Sequence, residues 1–89
     1  MEVIELIDEA KKRAGIASDY ELAKRVKTTR AAVSRWRNEI TAPDTAAALR
    51  LAALAGVAEV TAVAVCELAR TREPSARAFW ASLGGWRKR

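Results

Sequence analysis

At 89 residues, with a net charge of +5, no histidine and one cysteine, the chain suits a single domain but not metal or acid–base chemistry: the usual zinc sets cannot be assembled and the commonest general base is missing. About half of it is apolar, at 51%, and much of that is alanine, so a thin core of close helix contacts is expected, with Tyr20, Phe79 and the three tryptophans carrying a large share of the buried area. No run of about twenty apolar residues is present, nor a glycine-rich phosphate loop, nor a Gly-x-Ser-x-Gly turn, so neither a membrane span, nor a cofactor, nor an enzyme acting on a small-molecule substrate is expected.

Helix 1 is expected over residues 2–14, where Val3, Leu6, Ile7, Ala10 and Ala14 recur at helical spacing. Its acids lie in the first turns and its bases in the last, and Gly15 stands where a left-handed stop is needed. The same acids occupy positions where a secretory signal needs bases, and the lone Cys66 can form no internal disulfide. Both features point to a reducing cytoplasm.

Ser18-x-x-Glu21 reads as a capping box opening helix 2. Leu22, Ala23 and Val26 form its inward stripe, and it should end near Val26. Thr28-Thr29 supplies the next cap, for helix 3 over 30–38, with Ala32, Val33 and Trp36 inward. Residues 39–43 form a loop. Pro43 suits a first-turn position and Asp44 an N-terminal dipole contact of helix 4, which runs from about 44 to 55. Its inward residues are Ala47, Ala48, Leu51, Ala52 and Leu54, and Gly56 is its stop.

The β-branched run Val60–Val65 could be a strand. A strand there would have no partner, and the continuation through Arg70 extends a 60, 63/64, 68 spacing, so helix 5 is expected. A last helix starts at Pro74, with Ala78, Phe79 and Leu83 on one side and Trp80 a further candidate for it, and stops at Gly84-Gly85. The fold class is therefore all-α: a five-helix bundle over 1–71, with a C-terminal helix and basic tail over 72–89. Cys66 is most simply a small core residue, while Trp80 and Trp86 could serve core or dimer contact.

Charge is unevenly spread. Residues 1–10 hold four acids and no base, whereas residues 11–37 hold nine lysines and arginines against Asp19 and Glu21, and the chain closes on Arg87-Lys88-Arg89. Such a local excess is the footprint of a polyanion partner, although a plain solvated surface has the same composition. If that partner is DNA, Lys11, Lys24, Lys27, Arg37 and the tail are the expected phosphate contacts.

Two short helices joined by a turn, 18–26 and 29–38, have the form of a helix-turn-helix unit. The run 21–38, ELAKRVKTTRAAVSRWRN, resembles the DNA-binding segment of lambdoid phage repressors and Cro proteins. Glu21-Leu22-Ala23, Val26 before the turn, Thr28-Thr29, a buried Val33, Asn38, and the following loop with Pro43 carry that resemblance, which covers about 18–56. More loosely, the SDYELAK start and the SARAFWASL helix resemble small regulators encoded by filamentous phages and prophages. At the first turn position, where the family has a left-handed glycine, this chain has Lys27, at a cost of about 1 kcal/mol.

The resemblance implies a repressor-like bundle with helix 3 in the major groove of double-stranded DNA. Arg30, Ala31, Ser34 and Arg35 would then face base edges. Ser18, Asp19, Lys27, Thr29, Arg37 and Asn38 would lie along the phosphates, Ser18 being chiefly a cap. It further implies a homodimer on a pseudo-palindromic operator in a bacterial host cell, with helices 5 and 6 as candidate dimer surface, and repression rather than activation. A DNA-binding antitoxin, and a helical protein-interaction module without DNA binding, remain alternative readings.

Overall fold

A computed structural model describes residues 1–83. They form six α-helices and, among the described residues, no strand: α1 (Val3–Ala14), α2 (Asp19–Arg25), α3 (Arg30–Arg37), α4 (Thr45–Ala55), α5 (Glu59–Arg70) and α6 (Pro74–Leu83). The Gly84-Gly85 stop, Trp86 and the Arg87-Lys88-Arg89 tail lie outside the described residues.

Each helix boundary has a local cause. At the start of α1 the Glu5 carboxylate accepts the Glu2 N–H at 2.6 Å. Gly15 ends the helix at φ 69, the left-handed conformation that glycine adopts without steric cost. The Ser18 hydroxyl accepts the Glu21 N–H at 3.1 Å, one half of the capping box that the sequence suggests. Thr29 does the same for Ala32 at 3.0 Å, and Asp44 for Ala47 at 2.8 Å. Pro43 is not in the first turn of α4, because Asp44 is the N-cap; it is instead a fully buried residue of the loop that precedes the helix.

The core lies where α1, α4 and α5 meet. Leu6, Ile7 and Ala10 of α1 pack with Ala48, Leu51 and Ala52 of α4 and with Ala62, Val65 and Cys66 of α5. Alanine on the facing side of α4 lets the helix axes approach closely, which is how a short chain fills a core without large side chains. The aromatic residues contribute less than composition suggests: Trp36 is buried, but Tyr20 and Phe79 are each 56% exposed. Aliphatic side chains therefore do most of the burial.

The β-branched run Val60–Val65 is helical. Ala64 is buried and Val63 and Leu68 are half-buried, as the expected spacing has it, but Val60 is exposed, and Ala62, Val65 and Cys66 supply the rest of the buried face. Burial pushes the Cys66 thiol up to about 12, which keeps it protonated and unreactive at neutral pH. α6 is also rotated from expectation: Ala76, Trp80 and Ala81 are half-buried, while Ala78, Phe79 and Leu83 are exposed. Phe79 and Trp80 meet edge to face at 5.1 Å between ring centroids. The Glu73 carboxylate caps this helix, accepting from the Ala76 N–H at 2.9 Å.

α2 and α3 lean on this core through Leu22, Ala23, Val26, Val33 and Trp36, all buried. Four residues, 26–29, join the two helices. Lys27 sits among them at φ 61, so the chain takes the left-handed turn with a side chain in place. Lys27→Gly should therefore raise the unfolding free energy by about 0.5–1 kcal/mol, whereas the β-branched Lys27→Val should lower it by at least as much. Urea titration of the three proteins checks the order; equal midpoints would show that the turn carries no strain.

Candidate nucleic-acid interface

α3 has two opposed faces. Val33 and Trp36 are buried against the core, and Arg30, Ala31, Ser34 and Arg35 are exposed on the other side. The inward pair fixes how the helix is rotated, so the exposed set follows from core packing. Lys27 in the turn and Thr29 at the N-cap are exposed beside it. Asn38 closes the helix, its amide donating to the Ser34 carbonyl at 2.9 Å. All four residues expected to face base edges share one surface.

Asp19 and Arg37 behave differently from the expectation that both lie along phosphates. The Arg37 Nε donates to Asp19 Oδ2 at 2.7 Å and its Nη2 to Asp19 Oδ1 at 3.0 Å. The same Nη2 reaches Asp8 Oδ1 at 2.8 Å, and Lys11 Nζ donates to Asp19 Oδ1 at 2.9 Å. Two acids and two bases from three helices thus form one network. Its charges cancel, and an Asp19 carboxylate facing a phosphate would repel it. The geometry makes Asp19, Arg37 and Lys11 positioning residues for the α2–α3 pair rather than contacts for an anion.

Electrostatics agree with that role. The Arg37 guanidinium, hydrogen-bonded to the Asp19 carboxylate, holds it down at about 2, well below the usual carboxylate value, with Lys11 adding to the effect. The same bond pushes the Arg37 guanidinium above its ordinary value. Asp19 lies in the first turn of α2 and Arg37 in the last turn of α3, so each also sits at the helix end whose dipole favours its charge.

The remaining bases of residues 11–37 are Lys12, Arg13, Lys24, Arg25, Lys27, Arg30 and Arg35, and all of them are exposed. None takes part in an ion pair among the described residues. Lys24 lies over the Tyr20 ring at 5.4 Å, a cation–π contact on the outer face of α2. Among the described residues, no group of three or more Cys, Asp or Glu side chains could hold a metal ion.

Two positioning residues escaped the sequence reading. Asp8 is one; its partner lies twenty-nine positions away, and no local pattern signals it. Arg70 is the other. From the end of α5 it donates to the Ala42 carbonyl at 3.1 Å and the Pro43 carbonyl at 2.5 Å, pinning the loop between α3 and α4. A basic residue in the last turn of a helix was visible, but the loop it reaches was not.

No family model, no curated protein and no solved structure matches this chain.

The network makes acid stability a direct readout. The carboxyl of Asp19 is held below its ordinary value of 3.8, so the stability it contributes is complete above about pH 4 and is lost as pH falls towards 2. Because the group is partly exposed, the loss should be about 1–2 kcal/mol. Asp19→Asn should lose a similar amount at neutral pH and show a flatter stability profile between pH 4 and 2. A profile parallel to wild type, by denaturant titration at each pH, would remove Asp19 from that role.

Proposed function

We propose that this protein is a sequence-specific, double-stranded-DNA-binding regulator of transcription in the cytoplasm of a bacterial host cell. In this reading α2 and α3 form a repressor-like helix-turn-helix. The observation that carries it is the exposed face of α3, where Arg30, Ala31, Ser34 and Arg35 lie together opposite the buried Val33 and Trp36. A helix laid in the major groove needs this division: side chains long enough to reach base edges on one face and an apolar anchor on the other. The guanidinium of an arginine bonds guanine O6 and N7 together, the methyl of Ala31 suits a thymine methyl, and the hydroxyl of Ser34 pairs with several edges.

Lys27, Thr29 and Asn38, which adjoin the two ends of α3, and Ser18, which caps α2, are the proposed phosphate contacts. The left-handed turn supports the reading as well, because it brings the Lys27 side chain to the edge of α3. Since one such unit reads only a few base pairs, the protein acts as a dimer on a pseudo-palindromic operator. α6 is the proposed dimer surface, because Phe79 and Leu83 stand exposed on it. In this reading binding occludes the promoter, as a repressor of the phage or prophage kind does.

Binding to duplex DNA should weaken steeply with salt, at about 0.9 log units per log unit of salt for each phosphate neutralised, for several phosphates. An affinity that barely changes between low and physiological salt would defeat the reading. Operator fragments for the next test come from selecting bound fragments of the native genome. On such an operator, Arg35→Ala should cost about 1–3 kcal/mol while scrambled duplex is bound nearly as before; Lys27→Ala should weaken both alike. Equal losses on the two duplexes for Arg35→Ala would make it a phosphate contact. Sedimentation of the saturated complex should count two chains per operator, with half-sites about 34–36 Å apart. One chain with full specificity would refute the dimer.

A further inference from the structure

Beside α3 lies a second basic feature that the helix pair alone does not contain. A groove of about 260 Å³ runs between the turn, α3 and α4. Lys27, Arg35 and Arg50 line it, together with the hydroxyl-bearing Thr28 and Thr41. Its one acid is Asp44, whose Oδ1 already accepts the Ala47 N–H at 2.8 Å. Three cations from three different elements therefore converge on one hollow, and a single carboxylate opposes them.

Arg50 distinguishes this groove from ordinary surface charge. It is half-buried on α4, and among the described residues no hydrogen bond or ion pair engages it. Every other half-buried cation of the described chain has such a partner: Lys11 pairs with Asp19, and Arg37 with Asp19 and Asp8. An arginine that is half-buried as a residue has part of its stem packed, so its guanidinium, without a counter-charge, loses less freedom on meeting an anion than one on a fully exposed side chain. Its planar fork matches two oxygens of one phosphate.

We propose that this groove receives a backbone phosphate of the DNA, with Arg50 as its principal partner, so that α4 as well as α2 and α3 grips the duplex. The inference rests on the DNA-binding reading above. Lys27 on the rim stays available for the neighbouring phosphate, and Arg35 extends past the rim towards the bases. Arg50 acts as a register pin. It fixes how deeply α3 enters the groove of the DNA and carries no sequence preference of its own.

The test uses the full chain and a random-sequence duplex, with affinity measured across a salt series for wild type, Arg50→Ala, Arg50→Lys and Lys12→Ala. Lys12 removes one exposed positive charge from α1, away from the groove, and so controls for net charge. Arg50→Ala should reduce the log–log salt slope by about one unit and weaken binding several-fold at low salt. Arg50→Lys should keep the slope and lose only part of the affinity, and Lys12→Ala should leave the slope at the wild-type value. Thermal melts monitored by circular dichroism identify any loss of folding; if Arg50→Ala melts below the working temperature, the Arg50→Gln variant takes its place. A wild-type slope in the alanine or glutamine variant, with wild-type binding steep, overturns the role of Arg50 and leaves the DNA reading standing. Wild-type protein that shows no salt-dependent binding overturns both.

Discussion

Asp19 and Arg37 stand at opposite ends of the α2–α3 pair, eighteen residues apart, and their two hydrogen bonds of 2.7 and 3.0 Å join the first turn of one helix to the last turn of the other. Lys11 and Asp8 extend this bond to α1, the helix that packs against α4 at the centre of the molecule. The orientation of α3 relative to the core is thus held twice: by Val33 and Trp36 beneath it, and by the network at its end. Apolar contact alone sets position loosely, because hydrophobic attraction has no direction. A bidentate guanidinium–carboxylate pair does have one, and it fixes the angle at which the exposed face of α3 is presented.

That arrangement changes how the charge of the chain should be understood. The concentration of bases in residues 11–37 is uniform in composition but not in function. Lys11 and Arg37 are neutralised inside the network and build the scaffold. Lys27, Arg30 and Arg35 are exposed around α3, where a polyanion could meet them. Arg50, outside the dense run and half-buried on α4, lines the same hollow as Lys27 and Arg35. Exposed bases and framework bases are interleaved along the same stretch of sequence, and only the geometry of their partners separates them.

The core shows a related economy. Small residues on α4 and α5 permit close helix approach, so burial comes from many alanine, valine and leucine contacts rather than from aromatic anchors. Gly56, at the end of α4, is exposed, and its neighbour is the Arg13 side chain rather than the core. It takes the left-handed stop at φ 71, and a Cβ there would meet the Arg13 Nε at 2.8 Å. With the core closed in this way, α6 has little left to cover. Its exposed Phe79 and Leu83 are the largest apolar side chains that the fold leaves at the surface in this region.

Local signals in the sequence determined the helices and their ends. Gly15 and Gly56 stop helices at positive φ, Ser18, Thr29 and Asp44 cap the starts, and the period of apolar residues marks the inward faces of α1, α2 and α3. Each of these depends on neighbours within four residues, which a single sequence displays. The faces of α5 and α6 were legible only in part: α5 buries Ala64 as its spacing suggests but exposes Val60, and in α6 alanines and aromatics on several sides give no sharp period, so tertiary packing chose which side to bury. The left-handed Lys27 could be anticipated only from the resemblance, since nothing intrinsic to lysine favours that conformation. Which bases are framework and which are exposed was decided entirely in three dimensions. Asp8 and Arg37 are twenty-nine residues apart, and a charge shows its partner only when folding has brought the two side chains together.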